Sequence, residues 1–376
     1  METTGHIPRH SGRHVAVPPG RAARTAVSVV AALAIIGASA ALAALASAQL
    51  APVACRDIGA GCGGSPGTAS LTDQPSAVRV FASAADGFRG PSAVAGGHGR
   101  LWVTNVLGNS VTELSADSGA HQLTLGSAAY RFRGPNAVAV GRGHIWVANV
   151  PANSVTEINA SSGRLERTLS GRYGFSSPYA LALSGGRLWV ANAGGNSVTE
   201  IRARTGKRIA TLARGRYSFS DPQALTVSGG RLWVANAGGR SVTEINARTG
   251  AWIATLSAGY GFSHPAALAV SRQDLWVASA AGNSLTEVSA ITGRLIRILP
   301  GRRYGFDDPV ALAASGGRLW VANALGNSVS EIDAGTGRLL HTAAAGFSNP
   351  AGLAVVGSDV WVTNLGSDSL TQLRIG

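Results

Sequence analysis

Asp221, His264 and Asp308 each stand directly before a proline, 43 and 44 residues apart along the chain. Two carboxylates and an imidazole brought to one place could hold a divalent cation or pass a proton. Asp307 adds a further carboxyl beside the last of them. Aspartate ahead of proline also simply begins a turn, so the trio has two readings until the elements that carry it are known. The residues directly after the same row of prolines include Asn136, Tyr179 and Gln223. Such polar side chains suit fixing a small ligand by hydrogen bonds at the edge of a pocket.

The elements follow from self-similarity. The segment LWVTNVLGNSVTEL at Leu101 returns six times, so that Trp102, Trp146, Trp189, Trp233, Trp276, Trp320 and Trp361 are spaced 44, 43, 44, 43, 44 and 41 residues apart. Pro91, Pro135, Pro178, Pro222, Pro265, Pro309 and Pro350 keep the same intervals. Each unit holds four short runs of strand character between turn residues, as in YALAL, LWVAN, SVTEI and RIATL of the third. Four antiparallel strands in each of seven units of about 43 residues predict an all-β, seven-bladed β-propeller. Its many tight reversals account for the 50 glycines. The seventh unit ends after its third strand, and the unmatched run from Ser76 to Ala84 is expected to supply the missing fourth and close the ring, which leaves no exposed sheet edge there.

Positions that recur in every blade read as scaffold. Counting back from the hairpin places Trp102 opposite Glu113, which predicts an indole-to-carboxylate hydrogen bond repeated with Gln372 opposite Trp361. Asn105, Asn149, Asn192, Asn236, Asn323 and Asn364 read as turn formers. The Tyr-x-Phe pairs from Tyr130/Phe132 to Tyr304/Phe306 read as packing between blades, with a stacking rim for sugars as the rival role. Ligand-binding residues belong where the repeats differ. The candidate site is therefore the mouth of the axial channel, with Tyr179, Gln223, Asn136, Asp221, His264 and Asp308 as ligand residues. No catalytic residue is assigned. A metal site is not expected beyond the weak candidate Asp221, His264 and Asp308, and no cofactor beyond that divalent cation.

Outside the repeats the chain reads as a basic cytoplasmic tail (1–24), an apolar segment (25–48), a Gly/Pro/Ser linker (49–75) and the propeller (76–376). The apolar run behind four arginines predicts either a membrane anchor, N-terminus inside, or a signal peptide cleaved near Ala48, with a lipoprotein as a third reading. Cys55 and Cys62 fall in the linker, and an exported chain is oxidised, so a disulfide is expected, with an intermolecular bridge or idle thiols as rivals. The formal charge of +13 is carried mainly by arginines spread over both faces of the predicted ring. This favours an anionic surface or envelope polymer as partner and gives no reason to expect nucleic acid. The chain is expected to be a monomer. The propeller region has no cysteine, no G-x-S-x-G element and no phosphate-binding loop, which removes the commonest nucleophile and nucleotide chemistries.

The unit P-x-A-L-A-V-S-G-G-R-L-W-V-A-N-x-x-x-N-S-V-T-E-I-x-A-x-T-G resembles the YVTN-type β-propeller repeat, and more loosely NHL repeats and the streptogramin (virginiamycin B) lyases, over about Ser76 to Gly376. The first resemblance implies an extracytoplasmic binding or sensor module without catalysis, with a ligand or protein partner at the channel mouth. The second implies the alternative, a metal-dependent lyase- or lactonase-like enzyme at the same mouth. In those lyases the catalytic histidine follows a blade proline, and metal-binding acids lie beyond strand two. Here the post-proline residues are Ser92, Asn136, Tyr179, Gln223, Ala266, Val310 and Ala351, and His264 precedes its proline instead. The resemblance therefore carries no catalytic base onto this chain.

Overall fold

The computed structural model describes residues 77–374, apart from 83 and 214. The expectations for the tail, the apolar segment, and Cys55 and Cys62 fall outside the described residues. Within the described residues no helix is long and apolar enough to cross a membrane.

Seven sheets, each of four antiparallel strands, form the blades. The first blade is built from Pro91–Gly97, Arg100–Asn105, Ser110–Ser115 and His121–Leu125, in that order from the axis outward. The inner strands neighbour one another around the whole ring. Ala77–Phe81 pairs antiparallel with Ser369–Arg374 and completes the last blade, as its sequence suggested. Phe81 then reaches across the junction: its ring lies 5.6 Å from that of Trp361 and covers Gly119 in the first blade. A side chain at Gly119, which has φ +71°, would collide with that ring.

The core consists of layers between blades. Along L-W-V-A-N, period-two alternation turns leucine and valine to one neighbour and tryptophan to the other. Trp146 accordingly packs on Leu188, Val190 and Ile201 of the next blade, and Trp361 on Leu101 and Val103 across the closure. The seven repeat tryptophans are at most 4% exposed. The Tyr-x-Phe pairs are packing elements. Each pair stacks at 5.4–5.6 Å. Four of the tyrosine hydroxyls donate at 2.7 Å to a backbone carbonyl, Tyr130 to Gly163 and Tyr173 to Gly206 among them.

Two local expectations need correcting. Trp102 does stand opposite Glu113, and Trp361 opposite Gln372. The predicted hydrogen bond is not made, however: the indole nitrogens of Trp102, Trp189, Trp233, Trp276 and Trp361 find no acceptor. The glutamates turn instead to arginine, because a desolvated carboxylate gains more from a cation than from a neutral donor. The asparagines on strand two are not turn formers either. They are fully buried, and Nδ2 of Asn105 donates to Ser110 Oγ (3.1 Å) and Thr112 Oγ1 (2.9 Å), a pattern repeated at Asn149, Asn192, Asn236, Asn323 and Asn364. The left-handed turn position is four residues later, at Asn109, Asn153, Asn196, Asn283 and Asn327.

Candidate functional site

Each inner strand begins with the same three-residue device. The residue before the proline takes a left-handed φ, between 49° and 62°, in all seven blades. Proline pairs with the end of strand two, and the pairing then slips by one residue, so the post-proline residue is a bulge in every blade. A bulge bends the strand and re-aims the side chain it carries. All seven post-proline side chains, from Ser92 through Asn136, Tyr179, Gln223, Ala266 and Val310 to Ala351, line one axial cavity of about 560 Å³.

A second device fixes the left-handed residue. The turn asparagine of one blade accepts a hydrogen bond from the backbone N–H before the proline of the next. Asn109 takes Gly134, Asn153 takes Ser177 and Asn196 takes Asp221, each at 2.7 Å. Asn283 takes Asp308 (2.8 Å), Asn327 takes Asn349 (2.7 Å), and Asp368 serves Gly90 across the closure (2.6 Å). The seventh position is Arg240, whose side chain has no acceptor. His264 is thus presented from the one junction that lacks this clamp.

Polar residues of the mouth form one continuous arc. Asn136 Nδ2 donates to the Tyr179 carbonyl (3.2 Å). Gln223 Nε2 donates to Asp221 Oδ2 (2.8 Å), and its Oε1 faces His264 Nε2 at 3.4 Å. With the amide oriented by Asp221, the imidazole proton belongs on Nε2. His264 in turn interacts electrostatically with both Asp221 and Asp308. Burial raises the Asp221 carboxyl above the ordinary carboxylate range, against the lowering pull of Gln223 and His264. Burial likewise raises Asp308, where His264 lowers and Asp307 raises it. The Tyr179 phenol is pushed up by burial and by the Asp221 charge.

The remaining wall is apolar. Ala266, Val310 and Ala351 face the channel from the inner strands, and Val106, Ala281, Ala324 and Leu365 form a collar from the hairpins between strands two and three. Among the described residues no lysine or arginine lines the cavity. Arg131, Arg133, Arg172, Arg302 and Arg303 are exposed on the connections around it.

Five of the six anticipated ligand residues line the cavity, and Asp221 adjoins it through Gln223. Among the described residues no group of three or more His, Cys, Asp or Glu side chains is placed to hold a metal ion. The Asp221 carboxyl accepts from Gln223 Nε2 and does not itself line the cavity. Asn349 went unassigned at the sequence level. It is only 6% exposed, lines the cavity, and its side-chain amide makes no hydrogen bond among the described residues. Its place directly before Pro350 was the available signal.

No protein-family model and no curated protein matches the chain. Solved structures do match its fold. Virginiamycin B lyase from Staphylococcus aureus aligns with a TM-score of 0.68 at 16% identity, over 80% of this chain and 99% of that one. A streptogramin B lyase aligns at 0.68 with 18% identity, over 80% and 98%. Hydrazine synthase of Kuenenia stuttgartiensis aligns at 0.65 with 16% identity, over 77% and 96%. At these identities the likeness concerns architecture: the chain is a seven-bladed propeller of the shape that the streptogramin lyases also adopt.

Proposed function

We propose that the protein is an extracytoplasmic binding module that captures a small ligand at the mouth of its axial channel. One observation carries this reading. Seven identical bulges present seven side chains to a single cavity, and these side chains vary from blade to blade while the scaffold around them repeats. A cavity of this size, lined largely by apolar side chains with a few convergent polar groups among them, has the character of a small-molecule site. Export is inferred from the basic tail and apolar segment at the N-terminus. The exposed arginines on both faces would favour an anionic envelope polymer as neighbour.

The reading is tested by filling the mouth. In a thermal-shift screen of small molecules, any ligand that stabilises the native chain should lose its effect on Val310→Trp, because a compound bound only by the folded state raises the melting point. Hits that shift both proteins equally would move the site elsewhere. The rival, a metal-dependent lyase- or lactonase-like enzyme, requires a resident divalent cation. Millimolar Mg²⁺, Ca²⁺ or Mn²⁺ is expected to leave the melting point where it is, and a clear rise with any of them would favour the enzyme.

A further inference from the structure

The mouth has a chemical sign opposite to that of the protein as a whole. The chain carries +13, yet among the described residues no lysine or arginine lines the cavity, and Asp221 and Asp308 flank His264 along one arc. On the blade after that of Asp308, the buried Asn349 also lines the cavity, and its side-chain amide makes no hydrogen bond among the described residues. On the same three blades as His264, Asp308 and Asn349, the post-proline residues Ala266, Val310 and Ala351 offer only carbon to the cavity. We propose that the mouth selects an organic cation, a protonated amine carried on an apolar body.

An ammonium group asks less of this arrangement than a metal ion does: it can donate to Asp308 and give its other N–H groups to a neighbouring amide oxygen or to water, with no closed set of ligands required. Anions find no donor cation inside. The exposed arginines act mainly from outside, and at physiological salt their field is screened over ~8 Å, so the near carboxylates decide the sign at the mouth. The positive charge of a bound amine also offsets the desolvation that raises both carboxyls and favours their ionised form, and the groups that face this change are Asp221, His264, Asp307, Asp308 and Tyr179. Affinity should fall as the solution is acidified and these carboxyls take up protons.

The inference rests on the mouth being the binding site, and its test separates the two. 4-Phenylbutylamine, 4-phenylbutan-1-ol and 4-phenylbutyrate share one apolar body and differ in charge. Calorimetric titration of the native chain should rank the amine at least about tenfold tighter than the alcohol, with the carboxylate weakest. Asp308→Asn and Asp221→Asn, which keep shape and tolerate the left-handed backbone, should each reduce amine binding several-fold while leaving the alcohol unchanged. Circular dichroism confirms that each variant is folded. If amine and alcohol bind equally and both are lost in Val310→Trp, the mouth is a site but not one for cations. If the amine binds equally to native and Val310→Trp protein, the site reading falls as well. If the amine fails to bind the native chain, the cation inference is overturned.

Discussion

A carboxylate buried between two strands must find a cation, and the blades meet that demand in three ways. Arg100, Arg187, Arg231 and Arg318, at the start of strand two, pair with Glu113, Glu200, Glu244 and Glu331. Where that position is His144 or Asp274, an arginine appears on strand four instead: Arg167 lies 2.6 Å from Glu157 and Arg297 lies 2.5 Å from Glu287. In the seventh blade the glutamate is Gln372, and it donates to Asp359 (2.8 Å), which also meets Arg374. For Glu157 and Glu287 burial outweighs the partner, and the carboxyls are pushed up to about 7 from an ordinary 4.5. Each folded carboxyl thus keeps its proton through a range in which the unfolded chain has released it. Stability is full below pH 4.5 and declines as the pH rises toward 7, by an amount of order 1–3 kcal/mol per carboxyl. Melting temperatures measured from pH 4.5 to 7 should fall, and a Glu157→Gln, Glu287→Gln double variant should show a shallower fall. An unchanged slope would mean that neither carboxyl holds the proton.

At the scale of the element, the junction between blades is the unit that matters. Turn asparagine, left-handed residue, proline and bulge act together, and the missing clamp at Arg240 gives a directional prediction. Arg240→Asn should supply the seventh hydrogen bond and suit its φ of 47° better, raising stability by about 1 kcal/mol in denaturant melts. Asn196→Ala should cost a similar amount by stranding the Asp221 N–H. If both variants melted with the native chain, the clamp would contribute nothing. The junction also marks where sequence reasoning stopped. Blade number, strand order and the Trp102–Glu113 register could be read from the repeats, because period-two alternation and hairpin counting are local rules. The partner that Glu113 chooses could not, since it depends on whether an indole or a guanidinium can reach it in three dimensions. Asn105 reads as a turn former for a related reason: asparagine suits a turn at either 105 or 109, and only the hairpin geometry decides which one bends. The mouth residues were found because they vary within a strict repeat, but the bulge that aims them leaves no mark in composition.

For the whole molecule, closure by Ala77–Phe81 makes seven similar blades into one cooperative ring, with Phe81 spanning the seam between Trp361 and Gly119. Phe81→Ala should lower stability by about 2–4 kcal/mol, as loss of a packed aromatic does, and should raise proteolysis at the strand it covers. A variant as resistant as the native chain would show that the seam holds without it. The ring also explains how a strongly basic chain can carry a locally acidic mouth: the repeat pairs its buried charges within the blades and leaves the axis to the seven side chains that differ. The central claim, that these side chains form the ligand site, is tested most directly by soaking crystals of the protein with a library of small fragments. Bound fragments should gather in the axial cavity against Tyr179, Gln223, His264 and Asp308. Fragments that left the mouth empty and collected on the outer strands or the opposite face would contradict it.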